Sequence, residues 1–166
     1  MKQLLIFRHA KSDWNAAFRF DHDRPLSRRG IAAAKRMGRY LDRLGQVPDR
    51  VISSSAVRAW RTVELAAQAG EWPCPLAATG DLYDTTSDEM LKIIRGCSDT
   101  DSRLLVAGHQ PTCSALAGRL IGRGQMRFPT AAMARIDLPR DRWGNVRWGE
   151  GSLIWFVTPK LLKSVM

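Results

Sequence analysis

The chain has 166 residues, with 26 Lys or Arg against 16 Asp or Glu, giving a formal net charge of +10. At roughly 100–200 residues per unit, that length fits one domain spanning residues 1–166 that buries about two thirds of its unfolded surface. Hydrophobic content of 45% and charged content of 25% exclude a disordered tail or a fibrous repeat.

The first element is the apolar run Leu4 to Phe7, of strand length and suited to a strand covered on both faces. It falls far short of the ~20 residues that span a bilayer, and Arg8 and His9 cut it off too soon for a secretory leader. The expectation is a soluble, cytoplasmic protein with no membrane partner. A charged loop follows from Lys11 to Pro25. Ser27 caps a helix carrying Ile31, Ala34, Met37, Leu41 and Leu44 at three- and four-residue spacing, which stops at Gly45. Val51 and Ile52 form a second short strand, and Ala56 to Ala69 a second helix with Gly70 just past its end.

Pro73 and Pro75 make the stretch from Trp72 to Gly80 extended or looped. Thr86 and Glu89 have capping-box spacing ahead of a short helix with Leu91 and Ile94, closed by Gly96. Leu104 to Ala107 is a third buried strand, and Pro111 opens the next helix at its first position. Two closing strands, about Ala132 to Leu138 and Leu153 to Thr158, flank a loop with Gly144 and Asn145. This alternation predicts a three-layer α/β/α sandwich with a mostly parallel central sheet.

Three cysteines, Cys74, Cys97 and Cys113, are an odd number without a C-x-x-C pair, so reduced and mostly buried thiols are expected. His22 between Asp21 and Asp23 suggests a hydrogen-bonded loop rather than a metal site, and no metal or cofactor is called for. Arg supplies 20 of the 26 basic residues, and Arg grips phosphate or carboxylate with paired hydrogen bonds. The basic residues are scattered, with no run of five and no aromatic interleaving, which disfavours nucleic acid as the partner.

The chemistry gathers at strand ends, where open α/β sheets bind their ligands. The first strand runs into Arg8 and His9. The second runs into Ser53, Ser54 and Ser55, with Arg58 in the first turn of the next helix. The third runs into Gly108 and His109. If these strands are parallel, two guanidinium groups, two imidazoles and two helix starts converge, a set suited to a phosphate dianion. A neutral imidazole is a nucleophile, and Arg8 and Arg58 beside His9 disfavour its protonation. Neither a G-x-x-x-x-G-K-[ST] loop, a G-x-G-x-x-G turn nor a G-x-S-x-G elbow is present to support another chemistry.

Arg8-His9-Ala10, within the longer R-H-A-K-S-D-W-N stretch, resembles the R-H-G signature of the histidine phosphatase superfamily, whose fold is phosphoglycerate mutase-like. Ser53 to Thr62 resembles its S-S-x-x-x-R-A-x-x-T block, and Leu104 to Pro111 its third block. Ala10 and the stretch Asp23-Arg24-Pro25-Leu26-Ser27 look most like the SixA-like phosphohistidine phosphatases. The resemblance implies His9 as the phosphorylated nucleophile, Arg8 and Arg58 as phosphoryl ligands, and His109 completing the pocket. It also implies Asn15, and more weakly Ser12, as substrate contacts. Many relatives carry a proton-donating Glu between the second and third blocks. Here Leu82-Tyr83-Asp84 offers a shorter carboxylate, and Asp84 reads equally as a loop residue before Thr86.

The substrate so implied is a phosphorylated protein, with phosphohistidine foremost, or a small phosphate ester. The alternatives are a phosphoglycerate-mutase-like phosphotransferase and a basic binding module that keeps the fold without turnover.

Overall fold

The computed structural model describes residues 1–166. Six strands, β1 (Lys2–Arg8), β2 (Arg50–Ser54), β3 (Leu76–Thr79), β4 (Arg103–Gly108), β5 (Met133–Leu138) and β6 (Ser152–Val157), form one sheet in the order β3-β2-β4-β1-β5-β6. Strands β1 to β4 run parallel, and β5 runs antiparallel to both its neighbours. The helices are α1 (Arg28–Arg43), α2 (Val57–Ala69), α3 (Ser87–Arg95), α4 (Thr112–Leu120) and α5 (Pro159–Val165).

The pleat of β1 sorts the core into two layers. Leu5 and Phe7 face a cluster with Ala34, Met37 and Leu41 of α1 and Val63 and Ala66 of α2. Leu4 and Ile6 face the opposite cluster with Met90 and Ile94 of α3 and Leu116 and Leu120 of α4. Continuous apolar runs at β1 and β4 therefore mean burial on both faces, as read from sequence. Helix α1 begins as expected, its Ser27 Oγ accepting from the Gly30 amide at 3.1 Å. Thr86 Oγ1 likewise accepts from the Glu89 amide at 3.2 Å to start α3.

The Pro-rich stretch, expected to be extended or looped, is extended over Leu76–Thr79 as a strand, β3, which pairs in parallel with β2 at the sheet edge. Two local expectations change. Pro111 stands just before α4 rather than inside it, and Thr112 is the first helical residue. The chain also closes with α5, where Thr158 Oγ1 accepts from the Leu161 amide at 3.2 Å. No helix is long and apolar enough to cross a membrane.

Glycine permits two close approaches that shape the site's surroundings. A Cβ on Gly30 would lie 2.1 Å from the Lys11 carbonyl oxygen, so α1 packs directly on the segment after β1. A Cβ on Gly38 would lie 2.0 Å from the Ala66 carbonyl oxygen, where α1 and α2 cross.

Candidate active site

Strand pairing brings the two histidines together. Arg8, the last residue of β1, is in register with Gly108, the last of β4. The His9 amide donates to the Gly108 carbonyl at 3.0 Å, and the residue just after β4 is His109. Their ring centroids stand 5.1 Å apart with planes inclined at 54°.

The His9 ring is pinned. Its Nδ1 lies 2.7 Å from the Ala10 carbonyl oxygen, an acceptor only, so Nδ1 carries the proton and Nε2 keeps the lone pair. Ala10 is fixed in turn, because its amide donates to Thr62 Oγ1 at 3.0 Å and the Thr62 hydroxyl donates to the Arg58 carbonyl at 2.6 Å. The four-residue spacing between Arg58 and Thr62 is thus one helical turn of α2 that ties His9 to an arginine of the same cleft. His109 Nε2 lies 2.8 Å from Ser54 Oγ at the end of β2, while its Nδ1 is buried without a partner.

Three guanidinium groups line the same cleft, a space of about 370 Å³ that also holds His9 and His109. Arg8 Nη1 donates to the Phe128 carbonyl at 2.9 Å. Arg58, buried in the first turn of α2, donates through Nη1 to the Asp21 carbonyl at 2.8 Å and through Nη2 to Asp21 Oδ2 at 3.0 Å. Arg24, also buried, donates through Nε to Ser12 Oγ at 2.9 Å, pairs with Asp21 Oδ1, and stacks its guanidinium 3.6 Å from the Trp14 ring centroid. The Nε atoms of Arg8 and Arg58 are buried without partners. Cationic donors of this kind, crowded at the carboxyl ends of the interior strands, are suited to a tetrahedral oxyanion.

Burial is the main reason that both imidazoles stay neutral. It lowers the His9 pKa to about 3, opposed by the bond to the Ala10 carbonyl and assisted by the charges of His109, Arg58 and Arg8. His109 is lowered to about 4, by burial first and by Arg58 next, with Asp21 opposing. Like-charge neighbours, the cause anticipated from sequence for His9, are the smaller effect. Burial raises the Asp21 carboxyl, but bonds from Tyr83 and Arg58 and the charges of Arg58 and Arg24 outweigh it and bring the pKa down to about 2. Cys113, buried in the first turn of α4, is a protonated thiol, pushed up to about 12 by burial.

Of the residues singled out from sequence, Arg8, His9, Ser12, Arg58, Asp84 and His109 all line the cleft. Asp84 stands exposed at the rim with φ of 50° and no side-chain hydrogen bond. Asn15 is not brought into the cleft: it is exposed on a turn where its amide donates to Asp13 Oδ1 at 2.9 Å. His22 bonds Ser55 Oγ at 2.8 Å, a loop contact as expected. Sequence reasoning missed Asp21, Arg24 and Tyr83. The quoted D-R-P-L-S stretch contained Arg24, but nothing in it signals that this arginine is buried.

Residues 4–86 match the histidine phosphatase superfamily, branch 1. The chain is 30% identical over 165 residues to the uncharacterized protein ML1117 of Mycobacterium leprae, covering 92% of this chain and 99% of that one. It is 40% identical over 151 residues to the uncharacterized chloroplastic protein At3g52155 of Arabidopsis thaliana, covering 86% and 69%. Among solved structures, SixA from Agrobacterium tumefaciens superposes with a TM-score of 0.80 at 25% identity, covering 95% of this chain and 98% of that one. The protein histidine phosphatase SixA in complex with tungstate shares the fold, with a TM-score of 0.77 at 24% identity over 96% and 99%. By sequence and by fold, the chain belongs to branch 1 of the histidine phosphatase superfamily.

Proposed function

We propose that the protein is a phosphatase that passes a phosphoryl group through His9 to water, with protein phosphohistidine as the foremost substrate and small phosphate esters as the alternative. The observation that carries this reading is the pinned His9 ring, whose Nδ1 is committed to the Ala10 carbonyl, leaving Nε2 its lone pair, in a residue that lines one cleft with Arg8, Arg24 and Arg58. In the first step Nε2 attacks phosphorus, a P–Nε2 bond forms, and the substrate's P–N or P–O bond breaks. The leaving group takes that bond's electron pair: an imidazole already protonated at its other nitrogen leaves as the neutral ring, and a leaving oxygen takes a proton from Asp84. In the second step water attacks phosphorus, the P–Nε2 bond breaks, and inorganic phosphate leaves with His9 restored. Arg8, Arg24 and Arg58 neutralise the equatorial oxygens in both steps, and His109 donates a hydrogen bond to a phosphoryl oxygen.

The leaving-group proton separates the substrate classes. Asp21 is a poor donor, because its partners hold it ionised. That leaves Asp84 at the rim as the carboxyl to protonate a leaving oxygen. An alkoxide departs badly without such help, whereas an imidazole departs readily once protonated, and an open rim admits a protein side chain. The test is a phosphate-release panel comparing a phosphohistidine peptide, a phosphotyrosine peptide and sugar phosphates at matched concentration. The expected result is preference for the phosphohistidine peptide and loss of all release in His9→Ala. Release that survives His9→Ala contradicts the reading.

A further inference from the structure

We infer that a second groove, beside the active-site cleft, docks an acidic polypeptide segment that flanks the phosphorylated residue of a protein substrate; the inference rests on the phosphatase reading for its orientation only. The groove encloses about 870 Å³ between α1, α5 and the loop before β5. Arg29 and Arg36 come from α1, seven positions apart and so on one helix face. Lys160 and Lys163 come from α5 at i, i+3 spacing. Arg127 comes from the loop, and Lys11 stands where the groove meets the cleft, since Lys11 and Thr130 line both.

No Asp or Glu lines this groove, and none of these six cations makes an ion pair. Unneutralised like charges facing one concavity focus a positive potential along it, and that potential selects an anionic occupant. Six cations are more than one phosphate engages, so the groove suits a polyanion.

The lining favours polypeptide over nucleic acid. Its small apolar surfaces come from Ala32, Ala33, Pro129 and Pro159, and no aromatic side chain is available for bases to stack upon. Shallow apolar patches between cations suit the backbone and aliphatic stems of an Asp- and Glu-rich segment. With a phosphoryl group at His9, the residues flanking it pass Lys11 and enter the groove.

The test uses the full chain and does not require turnover. A fluorescein-labelled peptide of alternating Glu and Ala, its Gln counterpart and poly(U) RNA are titrated against the His9→Ala protein by anisotropy. The expected result is binding of the Glu peptide alone, weakened by salt and weakened roughly tenfold or more by Lys160→Glu with Lys163→Glu. Arg36→Gln, which removes charge without reversing it, weakens binding by a smaller factor. In the His9 background, Lys160→Glu with Lys163→Glu leaves p-nitrophenyl phosphate hydrolysis unchanged. Failure of the Glu peptide to bind, binding indifferent to these substitutions, or displacement of the peptide by poly(U) overturns the inference. Absence of p-nitrophenyl phosphate hydrolysis overturns the phosphatase reading instead and leaves the peptide result to be judged separately.

Discussion

Asp21 meets Arg58 twice, its backbone carbonyl accepting from Nη1 at 2.8 Å and its Oδ2 from Nη2 at 3.0 Å. The same carboxylate accepts from Tyr83 Oη at 2.8 Å and pairs with Arg24, so it occupies donors that an incoming oxyanion also needs. Asp21→Asn keeps an oxygen for Arg58 and removes one negative charge from the cleft. The predicted outcome is tighter inhibition by inorganic phosphate, by roughly three- to tenfold, since a neighbouring like charge no longer opposes the dianion. An unchanged or weaker inhibition constant shows that the charge of Asp21 does not restrain anion binding.

The buried imidazoles also predict a pH dependence of stability. His9 and His109 have folded pKa values of about 3 and about 4, below the unfolded value of 6.5. Between those values the unfolded chain binds more protons than the folded one, so acid favours unfolding. Stability therefore falls as pH drops from about 6.5 toward 4, with a limiting slope of about 1.4 kcal/mol per pH unit for each imidazole. Asp21 acts lower, its contribution present above 3.8 and lost toward about 2. Thermal melts from pH 7 to pH 5 should show a smaller decline in His9→Gln than in the parent chain. Parallel declines contradict the assignment.

Asp84 provides a prediction about leaving groups. Asp84→Asn should slow hydrolysis of an alkyl phosphate by roughly 10²-fold or more, the usual worth of a positioned acid, and slow a phosphohistidine peptide far less. Equal losses on the two substrates, measured as kcat/KM, remove Asp84 from the role of proton donor.

Gly38 separates stability from chemistry. Any side chain there meets the Ala66 carbonyl oxygen at 2.0 Å, so Gly38→Ala must part α1 from α2. A destabilisation of about 1–3 kcal/mol is expected by urea titration, the usual cost of overpacking, with activity per folded molecule retained. A neutral substitution shows that the two helices separate freely.

The parts of the fold legible in the sequence were those whose signal is local. Leu4 to Phe7 and Leu104 to Ala107 are apolar throughout because both faces of their strands are covered, and Ser27 and Thr86 cap helices with their own hydroxyls. Strand β3 was legible only as an extended or looped stretch because Leu76 to Thr79 lies at the sheet edge with Ala77 and Ala78 exposed, where apolar patterning is not required. In the site, Arg8, His9, Arg58 and His109 were readable because each ends a strand or begins a helix. Asp21 and Arg24 arrive on an aperiodic loop whose course is set by distant bonds, including Asp13 to Pro25 at 2.8 Å and Arg24 to Ser12 at 2.9 Å. The same loop carries Asn15 outward, which its adjacency to the first block did not foretell.

The most direct measurement is capture of the enzyme-bound phosphoryl group. The protein is mixed with a ³²P-labelled phosphohistidine peptide, quenched in denaturant at alkaline pH, digested, and its labelled peptide sequenced by mass spectrometry. The account predicts an acid-labile, base-stable label on the fragment holding His9, and no label in His9→Ala. Turnover without any labelled protein, or a label carried by another residue, contradicts it.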